Sequence, residues 1–441
     1  MVALMADRSV LLVTSNGFGM GHLVRQLAIA DAYGPNAHIL TLSQAASVAV
    51  AAGADLEYCP SYTSPWIDKR AWHRGYLRDR IVALAEELHA DVIAFDGVVP
   101  YVGLLQALQQ LDVARVWIRR GVWRADAKPA PLAYATMFDL IIEPGDLGAA
   151  LDRGPTSART DATRIGVVTQ AGSAALLSRH DAAARLGVDP GRLTVLFNVG
   201  SNAIPGLDNI IDTIASRHGI TVLTTKDALE RNRSAAGGNV QAVTGVFPLY
   251  PYLSAVDLAV TSVGYNAAHE FVASGVPTIV VPANNVTDDQ RARAHAMQAA
   301  GVGIAVESDG PQQLLETIER LLDDENERLA LAQAARTVAA AWGTGAAEAA
   351  ALLRTVQRTA RPSANARARL LFRILVERLL GLRKRPQSVG AFLVSERIVG
   401  RDLRGQTAIE HVLPRRSSEY LQRRIAIART WFGAAAHQIS E

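Results

Sequence analysis

The sequence predicts an α/β protein: two Rossmann-like, doubly wound parallel-sheet domains facing a cleft, followed by a basic helical extension. Three observations carry this. Short apolar, β-branched runs alternate with helical patterns along most of the chain, the signature of parallel strands joined by crossover helices. The alternation runs in two series separated by a small, polar stretch at 168–178, which gives expected domains of 1–170 and 171–360. The charge is divided: residues 354–441 carry 18 Lys+Arg against 6 Asp+Glu, and the first 353 residues carry 27 against 36. A length of 441 residues and a hydrophobic share of 49% suit two ordinary domains plus this extension, 361–441.

In the first series, strands are expected at SVLLVTS (9–15), AHILTLS (37–43), DVIAFDG (91–97), ARVWIRR (114–120) and FDLIIEP (138–144). Helical patterns such as LVRQLAIADAY and YLRDRIVALAEELHA lie between them. The second series comprises RLTVLFNVGSN, GITVLTTKD, NVQAVTGVFP, DLAVTS and TIVVPAN, and helices near 316–324 and 329–341 are expected to close that domain. The start, MVALMADRSVLLV, lacks a basic n-region and cleavage site and reads as a first strand. No run reaches 18 uncharged apolar residues, so a cytoplasmic protein is expected. The single cysteine, Cys59, excludes a disulfide framework and a thiolate metal site, and no carboxylate cluster suggests a metal; no cofactor is expected.

Ligands of such sheets bind beyond the carboxyl ends of the strands. Four candidate segments lie at such ends. SNGFGMGH (15–22) is a turn with Gly17, Gly19 and Gly21 that delivers His22 to the start of a helix. Its glycine spacing is not G-x-G-x-x-G and no acidic residue follows about 20 positions on, which argues against a dinucleotide. Imidazole titrates near neutrality and suits a general base, and a carboxylate on its other nitrogen fixes the tautomer. Asp96, at the end of a buried strand, is the expected partner. The third is Gly200–Asn202. The fourth, TSVGYNAAHEFVASGVPTIVVPANNVTDDQ (261–290), combines a strand end, Gly264, a helix start with Asn266, Glu270 one turn on, and a polar loop ending in Asp289 and Gln290. Helix-start amides favour phosphate, and a carboxylate one turn further accepts hydrogen bonds from a diol such as ribose.

The pattern G-Y-N-x-x-x-E, G-V-P-x-x-x-x-P and D-Q resembles the donor box of nucleotide-sugar glycosyltransferases of the GT-B fold, among them the plant secondary-product enzymes and the lipid II-forming N-acetylglucosaminyl transferase. The resemblance implies an inverting transfer from a nucleoside-diphosphate sugar, UDP-sugar first, to an acceptor hydroxyl. It implies that Asn266 and nearby amides touch phosphate, Glu270 binds ribose, Asp289 and Gln290 hold the sugar, and His22 is the base. It further implies that Gly200, Ser201 and Asn202 bring amides to the diphosphate and that Phe247 and Pro248 wall the base. Ser262 stands where the plant enzymes keep a histidine, and Leu249 where they keep a glutamine. A nucleotide-sugar epimerase or hydrolase, or a non-catalytic nucleotide-binding scaffold, are the alternatives.

Arg119, Arg120 and Arg124 in WIRRGVWR form a basic, tryptophan-bearing stretch that could hold an acidic or aromatic acceptor, lipid-linked or small. In the extension, 366–386 places Arg369, Arg373 and Glu377 on one stripe and Leu371, Ile374, Leu375, Leu379 and Leu382 on the opposite face. Such a helix, and a second at 417–432, suits either an anionic membrane interface, peripheral at the inner face of the plasma membrane, or packing on the acidic body. No nucleic-acid-binding module is recognisable.

Overall fold

A computed structural model describes residues 8–15, 20–64, 67–172, 174–199, 204–225, 239–243 and 246–359. The first series comprises β1 (Val10–Thr14), α1 (Gly21–Tyr33), β2 (Ala37–Thr41), α2 (Ala46–Ala51), β3 (Glu57–Tyr58), α3 (Lys69–Ala71), α4 (Leu77–Glu87), β4 (Val92–Asp96), α5 (Val102–Gln110), β5 (Ala114–Ile118), β6 (Leu140–Pro144) and β7 (Thr163–Ile165). The second runs α6 (Arg179–Leu186), β8 (Leu193–Asn198), α7 (Leu207–Ala215), β9 (Ile220–Thr225), β10 (Val240–Val243), β11 (Leu258–Thr261), α8 (Tyr265–Ser274), β12 (Thr278–Val280), α9 (Gln290–Ala299) and β13 (Ile304–Ala305). Helices α10 (Pro311–Asp323), α11 (Glu325–Ala340) and α12 (Gly345–Thr355) follow.

The strands form two sheets, ordered β3-β2-β1-β4-β5-β6-β7 and β10-β9-β8-β11-β12-β13. Every pairing within them is parallel. Central strands β1, β4 and β5 are buried along their whole length because helices cover both faces, which explains their continuous apolar runs. All ten expected strands are present; β3, β7 and β13 are short additions at sheet edges or ends.

Each sheet has apolar clusters on its two faces. Leu11, Trp72, Phe95 and Trp117 belong to one cluster of the first sheet, and Leu12, Leu23, Ile29 and Val116 to the other. Burying each such side chain contributes on the order of 1.5–3 kcal/mol. As expected, α10 and α11 complete the second unit: Leu314, Ile318 and Leu331 join its core. The α12 helix does otherwise. Its Ala349, Ala350 and Leu353 enter the first sheet's core beside α1, so the chain crosses back after the second series. Close approach permits this, since a Cβ on Gly345 would fall 2.2 Å from the Gly166 carbonyl oxygen. The segment 168–172 is likewise no loose linker. Gln170 Nε2 donates to the Val24 carbonyl at 2.9 Å, and the Val168 amide donates to the Tyr265 hydroxyl at 3.1 Å. The helices expected at 366–386 and 417–432 lie outside the described residues.

Candidate active site

Two helix starts, one from each unit, meet at the carboxyl ends of the sheets. After buried β11 the chain turns tightly, the Gly264 amide donating to the Ser262 carbonyl at 2.8 Å, and enters α8. Among the described residues no side chain caps α8, an arrangement in which first-turn amides favour an anion. Gly264 has an ordinary negative φ of −64°, and a Cβ built on it meets nothing within 4 Å. Among the described residues, then, neither the backbone angle nor packing demands glycine there. Among the described residues nothing lies within 4 Å of a Cβ built on Gly21, at the start of α1. The two starts are tied by Asn266 Nδ2, which donates to the Gly21 carbonyl at 2.8 Å. That contact engages a donor expected to touch phosphate, leaving the α8 amides as the better placed groups.

His22 and Asp96 come together as expected. His22 is on the first turn of α1 and Asp96 ends β4, in register with Thr14 of β1. His22 Nδ1 lies 2.8 Å from Asp96 Oδ1, with the imidazole 19% exposed and the carboxylate 1%. Burial would raise the Asp96 carboxyl, but Arg25 and then His22 hold it well below the usual carboxylate range. An ionised carboxylate only accepts, so Nδ1 carries the proton and Nε2 keeps its lone pair. Burial is the largest influence on His22 and lowers its pKa; Asp96 raises it, and the Arg25 and Arg120 cations lower it again. The resting imidazole at neutral pH is thus neutral, the form a base needs.

Sequence reasoning did not find Arg25, which donates through Nε and Nη2 to both Asp96 oxygens at 2.7 and 2.6 Å. Its place three residues after His22, on the same helix face, was the available signal.

Glu270 lies one turn into α8, half-buried, with its Oε1 buried and, among the described residues, unpartnered. Burial without a cationic neighbour pushes its carboxyl up to about 7, against the backbone amide of Gln170, which lowers it. His269 is buried: Nε2 accepts from the Leu147 amide at 3.0 Å and Nδ1 donates to the Tyr265 carbonyl at 2.6 Å.

The loop before α9 is held by both units. Asp289 caps α9, its Oδ1 accepting from the Ala292 amide at 3.0 Å, and Gln290 Oε1 accepts from the Ala283 amide at 2.9 Å, leaving the Gln290 amide nitrogen as its donor. Trp123 and Asp288 form an antiparallel bridge, with Asp289 N–H donating to the Val122 carbonyl at 2.9 Å and Arg124 N–H to the Thr287 carbonyl at 2.7 Å. Val122 adopts φ 54°, uncommon for a β-branched residue. Below this strap, fully buried Arg293 spans Asp146 at 2.7 Å and Asp288 at 2.9 Å, joining the end of the first unit's β6 region to the second unit's loop.

The arginines of WIRRGVWR sort differently from the expectation. Arg119 is fully buried and paired with Asp161 at 3.0 Å and Glu143 at 3.6 Å, so it faces the protein and cannot meet an acceptor. Arg120 is 15% exposed, 3.3 Å from Asp288, and its guanidinium carbon is 5.9 Å from the Tyr265 ring centroid. It therefore stands beside the start of α8 and not on a separate acceptor surface. A cleft of about 540 Å³ opens instead between Val98, Trp123, Lys128 and Pro131 of the first unit and Asn285 and Val286 of the second. Phe247 packs on the first sheet's core, with Pro248 following it. Gly17, Gly19, Gly200, Ser201 and Asn202 lie outside the described residues.

Residues 195–351 match the glycosyltransferase family 28 C-terminal domain. That match spans β8 to α12 and contains Glu270, Asp289 and Gln290. Among curated proteins, the UDP-N-acetylglucosamine--N-acetylmuramyl-(pentapeptide) pyrophosphoryl-undecaprenol N-acetylglucosamine transferase of Acetivibrio thermocellus is 26% identical over 175 residues, covering 37% of this chain and 47% of that protein. Its Bifidobacterium longum counterpart is 31% identical over 176 residues, covering 34% and 44%. The chain thus spans less than half the length of these relatives. Among solved structures, the spinosyn forosaminyltransferase SpnP superposes with a TM-score of 0.56 at 16% identity, covering 79% of this chain and all of that one. The glycosyltransferase SnogD from Streptomyces nogalater gives 0.51 at 19%, covering 80% and 100%. These likenesses establish the fold as GT-B.

Proposed function

We propose that the protein is an inverting glycosyltransferase that moves a sugar from a nucleoside-diphosphate sugar, UDP-sugar in the first place, to an acceptor hydroxyl. The observation that carries the reading is the meeting of a neutral, carboxylate-oriented histidine on α1 with the uncapped start of α8, joined by the Asn266–Gly21 hydrogen bond. In this reaction His22 Nε2 takes the proton of the acceptor hydroxyl. The acceptor oxygen forms its bond to the anomeric carbon as the bond from that carbon to the diphosphate oxygen breaks. The nucleoside diphosphate leaves with the electron pair, and the α8 amides, with Arg120 nearby, offset its charge. Glu270 binds the ribose diol, and Asp289 with the Gln290 amide hold the sugar. Residues 1–170 serve the acceptor and 171–360 the donor, with α12 as a brace between them.

The acceptor enters the cleft at Val98, Trp123 and Lys128, which suits a largely apolar body carrying an acidic group. The curated relatives' names specify a lipid-linked pyrophosphate acceptor, and an acceptor of that type fits this description. The basic extension would then place the enzyme at an anionic membrane surface.

The test is His22→Ala against a panel of nucleotide sugars with lipid-linked and small acceptors. Transfer should fall by about 10²-fold or more, while nucleotide affinity stays within about twofold. Undiminished transfer would remove His22 as the base. Nucleotide release that needs no sugar acceptor would replace transfer by hydrolysis or epimerisation.

A further inference from the structure

The Asp96 carboxylate does not serve His22 alone. Its Oδ1 receives His22 Nδ1 at 2.8 Å and Arg25 Nη2 at 2.6 Å; its Oδ2 receives Arg25 Nε at 2.7 Å and Gln26 Nε2 at 3.2 Å. Arg25 Nη2 is also 3.2 Å from His22 Nδ1, so the cation touches both members of the pair. Arg25 is 1% exposed, and its guanidinium carbon lies 5.0 Å from the Tyr265 ring centroid while its nitrogens bond the carboxylate. A group so enclosed cannot reach a ligand in the cleft. Its partners are all catalytic or structural.

We propose that Arg25 is a positioning residue: it shares the Asp96 carboxylate with His22, fixing the carboxylate toward Nδ1 and offsetting its charge so that the imidazole rests neutral with Nε2 bare. This rests on the reading of His22 as the base. The physical argument is one of competing charges. An ionised Asp96 with no other partner would stabilise the imidazolium more strongly and raise the His22 pKa against the burial that lowers it. A guanidinium bidentate on the same carboxylate divides that field and adds its own repulsion toward the imidazolium. The other charged group facing the ring is Arg120, from the segment after β5, which acts in the same direction as Arg25; from α8, Tyr265 presents an aromatic face to both arginines. Lysine is a poor substitute, because a single ammonium can supply the charge but not the two-point contact to the carboxylate.

The test reads His22 directly. The full-length protein, with histidines labelled at ring carbon and nitrogen, is titrated by NMR, and the His22 resonance is assigned by its loss in His22→Gln. Wild-type His22 should titrate below the ordinary 6.5, as the Nδ1–H tautomer. In Arg25→Gln its midpoint should rise by about one pH unit or more. Arg25→Lys should lie between the two. The acid limb of the transfer rate should move with the midpoint, toward higher pH in Arg25→Gln; a purely structural role would lower the rate at all pH values and leave the limb in place. A wild-type midpoint at or above 6.5, or an unchanged midpoint in either folded variant, would overturn the proposal. If Arg25→Gln does not fold, the wild-type and Arg25→Lys titrations decide. Since the NMR titration needs no turnover, a protein that transfers no sugar but shows these shifts would refute the glycosyltransferase reading and leave the Arg25 assignment standing.

Discussion

Replacing His269 or Glu270 by glutamine should tilt the stability–pH profile in opposite directions, although the two residues are neighbours on α8. His269 is held neutral because Nε2 accepts from the Leu147 amide, and a proton there would face another N–H. Burial is the main cause, with Arg293 adding to it and Asp146 opposing, and together they bring the pKa from 6.5 to about 4. The unfolded chain therefore binds a proton over pH 4–6.5 that the folded protein refuses, and stability is lost as pH falls through that window. The gap corresponds to about 3 kcal/mol. Glu270 has the reverse sign. Its carboxyl rises from 4.5 to about 7, so the folded protein holds a proton that the unfolded chain has released. Stability is then lost as pH rises from 4.5 to 7, again by about 3 kcal/mol at most. In the wild type these slopes oppose one another between pH 4.5 and 6.5. Chemical denaturation of both variants across pH 4.5–7.5, each taken against wild type, separates them. His269→Gln should gain relative stability as pH falls, and Glu270→Gln as pH rises. Parallel difference profiles, or a slope of the opposite sign in either, would refute the burial argument for α8.

Three further outcomes are expected. Arg293→Met removes a cation that spans two buried carboxylates and should destabilise the protein by about 3–5 kcal/mol in urea unfolding, with a smaller loss at acidic pH where Asp146 and Asp288 can take protons; a cost below about 1 kcal/mol would show that the network is solvated. Gly154→Ala puts a Cβ 1.8 Å from the Trp123 carbonyl oxygen, so it should displace the strap and cost about 1–3 kcal/mol, with weaker donor-sugar binding; unchanged melting would show that the strap yields freely. Binding of a nucleoside diphosphate should release a proton from Glu270 near pH 7, measured as a buffer-dependent calorimetric enthalpy that disappears in Glu270→Gln.

The β-branched runs specified every central strand, because strands buried on both faces must be apolar throughout. The three strands that escaped, β3, β7 and β13, are two or three residues long and carry no periodicity. The destination of α12 could not be read either. GAAEAAALLRT offers an apolar face, but the contacts that select the first sheet as its partner, the Gly166–Gly345 approach and the Arg354 bonds to the Ala32 and Tyr33 carbonyls, join residues distant in sequence. Within the site, the His22–Asp96 pair was legible because glycine turns and strand ends place side chains predictably. Arg25 was not, since one arginine on a helix looks like a solvated side chain until a carboxylate from β4 arrives beneath it. The same limit misassigned Arg119. Its partners, Asp161 and Glu143, are brought to it by the sheet, and nothing in WIRRGVWR announces them.

The central claim is that the start of α8 and Glu270 seat a nucleoside diphosphate opposite His22. Calorimetric titration of the wild type and of Glu270→Ala with UDP, dTDP, GDP and ADP tests it most directly. At least one nucleotide, UDP first, should bind the wild type in the micromolar range, and Glu270→Ala should weaken it about tenfold, the loss of a charge-assisted hydrogen bond. Absence of binding by all four at millimolar concentration, or equal affinity in the variant, would contradict the account.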